Sequence, residues 1–267
     1  MVKAIVTGCA GRMGRSIVNI IDGTDGIDVC GGTELAGSGF IGRDIGEVAG
    51  CGSLGVAISD EISEIIGGCD VIIDFSIPSA SLEHFLKAEE AGKAIVIGTT
   101  GFTGEHWKTF EAMEKNIRAV IAPNMSVGVN LLFKLTREAA SIIGRDYDIE
   151  IVEMHHNKKI DAPSGTANRL AEIAAEAVER DLSKVGKYGR EGEIGVRPPS
   201  EIGVMSLRGG DVVGEHTVIF AGKGERIELS HKAGSRDNFA MGAVKGAIWV
   251  VDQPAGIFDM QDVLGFK

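Results

Sequence analysis

The amino-acid sequence predicts an α/β protein, with a Rossmann-type doubly wound parallel sheet followed by a smaller α+β domain. Short β-branched runs alternate with amphipathic helical patterns through the first half of the chain. A glycine-rich turn joins the first predicted strand to the first predicted helix. Beyond the middle of the chain the alternation ends, and strand patterns follow one another without intervening helices. That order of patterns is typical of a parallel α/β domain followed by an α+β domain.

Length and composition exclude several classes of protein. With 267 residues the chain can form two modest domains with ample cores. Its net charge of -11 argues against general binding of nucleic acid, because no overall positive field would neutralise phosphates. No apolar run approaches the roughly 20 residues that span a bilayer, and the opening residues begin directly in a strand pattern. We therefore expect a cytoplasmic protein that binds neither nucleic acid nor membrane.

Neither a metal site nor a disulfide framework is predicted. The four cysteines contain no C-x-x-C pair, and we expect them to be reduced and mostly buried. Glu153 with His155 or His156 resembles part of a metal site, but no third ligand follows at suitable spacing.

The first turn predicts a nucleotide site. Residues 3–7 form a β-branched run, and Gly8, Gly11 and Gly14 follow it into a helix. Such a turn places backbone N–H groups and the helix dipole against a pyrophosphate. The spacing G-x-x-G-x-x-G departs from the usual G-x-G-x-x-G, so an ordinary strand-to-helix turn is the alternative. A second strand at 28–33 leads into Glu34, where a carboxylate is expected to bind the adenine ribose. The order of these features, a strand, a glycine turn, a helix, a second strand and then an acidic residue, favours nucleotide binding over an ordinary turn.

Two buried strands and their connections continue the parallel sheet. Apolar runs at 71–75 and 94–98 flank a helical pattern at 79–91. A helix at 104–116 and a strand at 119–122 complete the domain, whereas residues 36–55 predict an irregular surface loop. Ser76 and the Gly98-Thr99-Thr100 run follow strand ends, where ligands of open α/β sheets bind. They are candidates for cofactor contact, although polar residues after strands are also common in plain loops.

The predicted domain boundary lies near Ser126. Residues 1–126, completed by 237–267, form the predicted dinucleotide-binding domain, and residues 127–236 form the second domain. The second domain begins with a helix at 127–143. It continues with one strand, a loop that contains His155 and His156, and one helix, and it includes a hairpin around residues 222–224. Its strands predict a mixed or antiparallel sheet with little helix to cover it. An oligomer interface is therefore expected there.

Residues 153–167, EMHHNKKIDAPSGTA, carry the chemistry that we expect in the second domain. His155 and His156 offer a proton donor, and the two lysines that follow offer positive charge. An alanine-rich helix follows, for which Ser164 or Thr166 is a possible N-cap. Uncapped N–H groups at a helix start bind carboxylate or phosphate. The stretch is equally consistent with a strand that runs into a polar loop and a capped helix.

Six motifs resemble those of the dihydrodipicolinate reductase family, now called 4-hydroxy-tetrahydrodipicolinate reductase, of the diaminopimelate route to lysine. In order they are GCAGRMGR, IGTTGF, NMSVGVN, EMHHNKKIDAPSGTA, GEHTVIF and GIFDMQDVLGF. The resemblance covers essentially the whole chain, and the central motif is highly specific. It implies a homotetramer in which the second domain binds substrate and forms subunit contacts.

The resemblance also implies roles for particular residues. His155 is the implied general acid and Lys159 assists it, while His156, Lys159, Gly165 and Thr166 hold a small dicarboxylate beside the helix start at Ser164. The implied dinucleotide contacts are Gly8, Cys9, Ala10, Gly11, Arg12, Met13, Glu34, Gly98, Thr99, Thr100, Ala122, Pro123, Asn124 and Met125.

The expected reaction transfers a hydride from NADH or NADPH to 4-hydroxy-tetrahydrodipicolinate or dihydrodipicolinate and gives tetrahydrodipicolinate. Glu34 disfavours a 2′-phosphate and Leu35 supplies no cation for one, so NADH is the expected preference. Arg12 would still allow NADPH to bind. Two alternatives stay open: a reductase of another small anionic imine or carbonyl, and a dinucleotide-sensing protein without turnover. The second alternative needs neither His155 nor Lys159.

Overall fold

The computed structural model describes residues 1–266, which form two compact units. One unit contains Met1–Val127 together with the segment from Arg236 onward, and the other contains Gly128–Ser235. In chain order the strands are β1 (Val2–Thr7), β2 (Ile27–Thr33), β3 (Ile58–Ser59), β4 (Val71–Asp74), β5 (Ala94–Ile97), β6 (Arg118–Ile121), β7 (Asp148–His155), β8 (Gly186–Lys187), β9 (Ile202–Arg208), β10 (Gly214–Ala221), β11 (Arg226–Ala233) and β12 (Gly256–Phe258). The α-helices are α1 (Arg12–Asp22), α2 (Ile45–Ala49), α3 (Ile62–Ile65), α4 (Pro78–Glu90), α5 (Gly104–Met113), α6 (Val127–Ile143), α7 (Gly165–Ala177), α8 (Leu182–Val185), α9 (Asp237–Val250) and α10 (Met260–Val263).

The first unit is a seven-stranded parallel sheet in the order β12-β6-β5-β4-β1-β2-β3. The β4 and β5 strands are buried along their whole length, which explains why they consist of Val, Ile and Ala apart from Asp74 at the end of β4. Parallel strands need such runs because helices cover both faces of the sheet. The predicted Rossmann-type fold is confirmed.

The second unit is a five-stranded mixed sheet in the order β11-β10-β7-β9-β8. The β10 strand runs antiparallel to both β7 and β11, whereas β9 runs parallel to β7 and β8. Leu170, Ala171 and Ala174 of α7 share an apolar core with Ile149 and Ile151 of β7. The small alanines let the helix approach this sheet closely. Of the two predicted sheet types, the mixed one is present.

Two local predictions were wrong. Residues 36–55 contain the short helix α2, because the Asp44 carboxylate accepts hydrogen bonds from the N–H groups of Gly46 and Glu47 and caps it. His155 belongs to β7 and not to the loop, because the strand stays paired with Arg208 of β9.

Across residues 1–266, no helix has both the length and the apolar character needed to cross a membrane.

Candidate active site

Glu153 and His155 lie two residues apart on β7 and therefore point to the same face of the sheet. That face is buried: Glu153 is 0% exposed and His155 is 9% exposed. The Nδ1 atom of His155 lies 2.6 Å from Oε2 of Glu153. Because an ionised carboxylate only accepts hydrogen bonds, Nδ1 carries the hydrogen. Nε2 is then the ring atom that remains for proton transfer.

The Nε2 side of the His155 ring lies against the backbone of Gly214 on β10. A Cβ atom at position 214 would stand 3.0 Å from Nε2. Any larger residue at position 214 would be in tight contact with the reactive nitrogen, so a glycine at this position avoids a steric clash with the imidazole.

The Glu153 carboxylate accepts hydrogen bonds from at least four donors. Arg208, which pairs with His155 in the β7–β9 register, donates from Nη1 to Oε2 at 2.8 Å and from Nη2 to Oε1 at 2.9 Å. The backbone N–H of Ser164 donates to Oε1 at 3.1 Å, and His155 is the fourth donor. Burial acts to raise the pKa of Glu153, but Arg208 and His155 outweigh it and hold the pKa at about 2. Glu153 is therefore a fixed negative charge behind the histidine.

His155 is neutral near pH 7 in the surroundings that the protein itself provides. Burial lowers its pKa below the usual 6.5, and the nearby charges of Lys159 and Arg208 act in the same direction. The hydrogen bond and charge of Glu153 oppose them but do not overcome them. A nearby anionic ligand would move the pKa of His155 upward, because an opposite charge favours the imidazolium.

The start of α7 lies next to this pair. Ser164 is the N-cap residue, and its Oγ accepts a hydrogen bond from the N–H of Ala167 at 3.1 Å. Ser164 rather than Thr166 therefore caps the helix, and Gly165 is its first residue. Because the Ser164 N–H binds Glu153, the helix start and the histidine are held by one carboxylate.

The loop between β7 and α7 is fixed by backbone hydrogen bonds. The N–H of His156 donates to the carbonyl of Val212 at 2.7 Å, which continues the pairing beyond the end of the strand. Lys159 pairs with Asp161, with 2.9 Å between Nζ and Oδ1. Lys158 is exposed, whereas His156 and Lys159 are partly buried. The structure thus brings five of the six predicted residues of this region into one neighbourhood, namely His155, His156, Lys159, Ser164 and Gly165, and the sixth, Thr166, follows in the first turn of α7.

In the first unit, the turn after β1 has the geometry of a phosphate-binding turn. Gly8 has a φ of +59°, and a Cβ at Gly14 would stand 2.3 Å from the Gly8 carbonyl oxygen. Both positions therefore require glycine. Gly11 is the N-cap of α1 and has no side chain to cap the helix. The Ala10 N–H donates to Oε1 of Glu34 at 2.7 Å, so an N–H of this turn already holds an anionic oxygen. These residues fit a dinucleotide pyrophosphate and its ribose.

The other predicted cofactor residues lie at the ends of β5 and β6. The Thr99 hydroxyl donates to Asp74 at 3.0 Å, and Asp74 also accepts from Thr7 at 2.8 Å, which ties the end of β5 to the end of β1. The N–H of Ala122 donates to the carbonyl of Ile97 beside Gly98. The predicted contacts differ in exposure: Gly11, Arg12, Thr100 and Pro123 are exposed, Gly8, Ala10, Met13, Glu34, Gly98 and Asn124 are partly buried, and Cys9, Thr99, Ala122 and Met125 are buried.

A pocket beside Glu34 is lined by acidic residues. Its wall includes Leu35, which is 77% exposed, and the carboxylates of Asp60, Glu61 and Glu83. Two basic residues also line the pocket, and both are already paired with carboxylates. The Lys87 ammonium pairs with Glu61 at 2.9 Å and with Glu83 at 3.0 Å, and Nδ1 of His84 lies 2.5 Å from Oδ2 of Asp74. The pocket therefore offers little positive charge to an anion.

Three residues of the second-unit site were not predicted from the sequence: Glu153 as the partner of His155, Arg208, and His216. Glu153 and His155 are two residues apart on a strand and therefore lie on one face, so their spacing would have indicated that Glu153 is the partner of His155. Arg208 and His216 come from other strands, and they meet Glu153, His155 and Ser164 only through the sheet register.

Comparisons with known proteins identify the family of this chain. Residues 2–125 match the profile described as dihydrodipicolinate reductase, N-terminus, and residues 128–264 match the one described as dihydrodipicolinate reductase, C-terminus. The chain belongs to the dihydrodipicolinate reductase family. The family predicted from the sequence motifs is thereby confirmed.

Relatives and a solved structure support the same family along the whole chain. The 4-hydroxy-tetrahydrodipicolinate reductases of Geobacter metallireducens and Pelobacter propionicus are 53% and 51% identical to it, over 100% of each chain. A dipicolinate-bound dihydrodipicolinate reductase from Paenisporosarcina sp. TG-14 superposes with a TM-score of 0.77 at 25% identity and covers 98% of both chains. As a member of the dihydrodipicolinate reductase family, the chain is an oxidoreductase with a dinucleotide-binding Rossmann fold.

No group of three or more His, Cys, Asp or Glu side chains within residues 1–266 is arranged to hold a metal ion. The cysteines are free thiols, of which Cys9 and Cys69 are buried.

Proposed function

We propose that this protein reduces 4-hydroxy-tetrahydrodipicolinate, or its dehydrated form dihydrodipicolinate, to tetrahydrodipicolinate in lysine biosynthesis, with His155 as the general acid. One observation carries the proposal. The Glu153 carboxylate holds both the imidazole of His155, at 2.6 Å, and the helix-start N–H of Ser164, at 3.1 Å. A proton donor and an anion-binding helix terminus are thereby fixed to one another. A reductase of an anionic unsaturated ring needs this combination.

A bound NADH or NADPH would supply the hydride. Hydride addition to a conjugated imine leaves negative charge on a ring carbon, and that carbon must receive a proton. His155 donates the proton from Nε2, because Nδ1 is held by Glu153. Glu153 stays ionised throughout and stabilises the imidazolium that exists before transfer, since its pKa is about 2.

The two substrate carboxylates bind to two groups of donors. The first N–H groups of α7, from Gly165 and Thr166, and the Ser164 hydroxyl hold one carboxylate. His156 and Lys159 hold the other, which requires Lys159 to exchange its pairing with Asp161 for the substrate. Asp161 lies on an exposed loop, so its carboxylate returns to water when the pair opens. The exchange therefore costs little, because Asp161 is already in contact with water and Lys159 keeps an anionic partner throughout.

The first unit is the proposed dinucleotide-binding domain. Residues Gly8 to Met13 contact the pyrophosphate, with the first N–H groups of α1, from Arg12 and Met13, as its donors. Glu34 accepts hydrogen bonds from the ribose, and the segments 98–100 and 122–125 border the nicotinamide half. The requirement for glycine at positions 8 and 14 supports this assignment.

NADH is the preferred cofactor in this proposal. A 2′-phosphate would add about two negative charges to a pocket whose wall already contains Glu34, Asp60, Glu61 and Glu83. Lys87 is engaged by two of those carboxylates, and Leu35 contributes no charge. Like charges at this range disfavour the phosphate.

Turnover with the product of dihydrodipicolinate synthase tests the function. Oxidation of NADH is followed by absorbance, with the substrate generated in the cuvette. The wild-type chain should turn over, and His155→Ala should lower kcat by about 10²–10⁴-fold. Lys159→Ala should lower kcat/KM, while Lys158→Ala on the exposed neighbouring position serves as the matched control. NADH binding without turnover by the wild-type chain would favour a sensing protein, and unchanged kcat in His155→Ala would reassign the acid.

We also infer a cytoplasmic homotetramer formed through the second unit. The β11 strand lies at the edge of its sheet, and its residue Ile227 is 42% exposed. Leu207 of β9 is 51% exposed. Edge strands with exposed apolar side chains are normally covered. Native mass spectrometry should give four times the chain mass of 28.1 kDa, and a monomer at micromolar concentration would contradict the inference.

A further inference from the structure

We propose that His216 is a positioning residue that directs the hydroxyl hydrogen of Ser164 toward a substrate carboxylate. This inference rests on the proposed function, because it concerns the anion-binding start of α7. The two side chains are both buried, with His216 4% exposed and Ser164 2% exposed. Nε2 of His216 lies 3.0 Å from Oγ of Ser164.

The hydroxyl oxygen of Ser164 has two lone pairs and one hydrogen to distribute. The Ala167 N–H occupies one lone pair, at 3.1 Å. If His216 donates from Nε2, both lone pairs are used and the hydroxyl hydrogen must point elsewhere. If Ser164 donates to Nε2 instead, the hydrogen of His216 must lie on Nδ1.

The surroundings of Nδ1 distinguish these two states. Within the part of the chain that the structure describes, no polar atom pairs with Nδ1 of His216. A buried N–H without an acceptor is rarer and more costly than a buried lone pair without a donor. With the hydrogen on Nε2, Nδ1 keeps only a lone pair, and the donor that still needs an acceptor is the hydroxyl of Ser164. A hydroxyl can rotate to meet a ligand, whereas a ring N–H at Nδ1 is fixed in place, so this arrangement is the favoured one.

A doubly protonated His216 is excluded near neutral pH. Burial lowers its pKa to about 4, and the neighbouring His155, 5.2 Å away between ring centroids, adds to the shift. Neutral His216 with its hydrogen on Nε2 is therefore the form that meets Ser164 at pH 7.

The hydroxyl hydrogen of Ser164 is then left to a ligand. Ser164 lies beside Gly165 at the start of α7, where the first helical N–H groups favour negative charge. A carboxylate bound there completes the hydrogen bonding of Ser164. His216 thus acts on the substrate through Ser164, without touching it.

Two substitutions at position 216 separate this role from simple packing. The amide nitrogen of glutamine can take the place of Nε2, whereas that of asparagine reaches only the place of Nδ1. His216→Gln should keep the Kd of pyridine-2,6-dicarboxylate within about 3-fold, since the donor to Ser164 is retained. His216→Asn should raise that Kd and the substrate KM by about 10- to 100-fold, as expected for loss of a hydrogen bond to a charged group. The KM for NADH should not change.

A double-mutant cycle and a matched control complete the test. Ser164→Ala should weaken binding to a similar extent, and His216→Asn should add nothing in that background. His231→Asn, on the neighbouring strand opposite His216, should leave the Kd unchanged. Multiplicative losses in the cycle, or equal effects of Gln and Asn, would overturn the inference.

A measurement on the wild-type chain does not depend on any variant folding. ¹⁵N NMR of His216 should show Nε2 protonated and Nδ1 unprotonated at pH 7, and the reverse tautomer would refute the inference. A different result would refute the proposed function itself: a wild-type chain that does not oxidise NADH with the dihydrodipicolinate synthase product.

Discussion

Replacing Glu153 with glutamine tests whether this carboxylate holds His155 in its working state. Glu153 is fully buried, and its two oxygens face at least four donors: the His155 Nδ1–H, two N–H groups of Arg208 and the Ser164 N–H. Each oxygen receives two of these donors. A glutamine has one oxygen and one NH₂ group, so whichever way the amide turns, the NH₂ group faces two donors.

The expected losses follow from that count. The Arg208 guanidinium loses its buried counter-charge, but its side chain is 21% exposed and water can solvate the charge that is left. The cost in folding free energy should therefore lie below the value of about 3–5 kcal/mol for a fully buried pair. The imidazole loses the group that raises its pKa, so the pKa of His155 should fall further below 6.5. We expect Glu153→Gln to lower kcat by about 10²–10⁴-fold at pH 7. Because less imidazolium is present at any pH, activity should recover toward lower pH.

The assay is the pH profile of kcat for NADH oxidation, measured beside thermal unfolding. Glu150→Gln is the matched control, because Glu150 lies on the same strand and pairs with Arg190 and Arg197 instead of His155. The control removes an equal charge and should lower the unfolding midpoint while leaving kcat and its pH profile unchanged. If Glu153→Gln keeps the wild-type kcat and pH profile, Glu153 does not position the acid and the role assigned to His155 is unsupported.

Four further predictions concern cofactor choice, substrate binding and stability. Leu35→Arg should raise kcat/KM for NADPH relative to NADH by about 10-fold or more, measured by initial rates, because it adds a cation to the acidic pocket. Pyridine-2,6-dicarboxylate should bind with proton uptake at pH 7, seen as a buffer-dependent enthalpy in calorimetry that His155→Ala abolishes. The free energy of unfolding should fall as pH decreases from 6.5 to about 4, since unfolded His216 binds a proton that folded His216 does not. The pKa difference corresponds to a loss of about 3 kcal/mol. Chemical denaturation of His216→Gln should show a smaller loss of unfolding free energy over the same pH range. Gly14→Ala should weaken NADH binding by at least about 10-fold in a fluorescence titration, because its Cβ would stand 2.3 Å from the Gly8 carbonyl oxygen.

The parts of the fold that the sequence predicts well are those fixed by neighbouring residues. Gly8 and Gly14 are needed by one turn and the helix that follows it, so their spacing is visible in the chain itself. The wholly buried runs of β4 and β5 predict central parallel strands for the same reason. The helix α2 was missed because its stability comes from Asp44, whose carboxylate also binds the N–H groups of Leu54 and Gly55 ten and eleven residues later.

The candidate site was only half predicted, and the missing half consists of contacts between strands. His155, Lys159 and Ser164 lie within one motif of fifteen residues, and local reasoning reached them. Arg208 lies 55 residues after Glu153, and His216 lies 52 residues after Ser164. Both reach the site only because β9 and β10 flank β7 in a definite register. Periodicity shows which face of a strand is buried, but it does not show which strand lies alongside.

The lowered pKa of His155 is consistent with its proposed role as an acid. Burial by the protein's own atoms favours neutral imidazole, and Lys159 and Arg208 add to the effect. A dicarboxylate ligand brings two negative charges to the same place, and an opposite charge within about 4–6 Å favours the imidazolium by one to three pKa units. His155 would then be protonated when the substrate binds and neutral when the site holds no substrate. Since Glu153 is already ionised and fully paired, it cannot take up that proton, and the charge change falls on His155 alone.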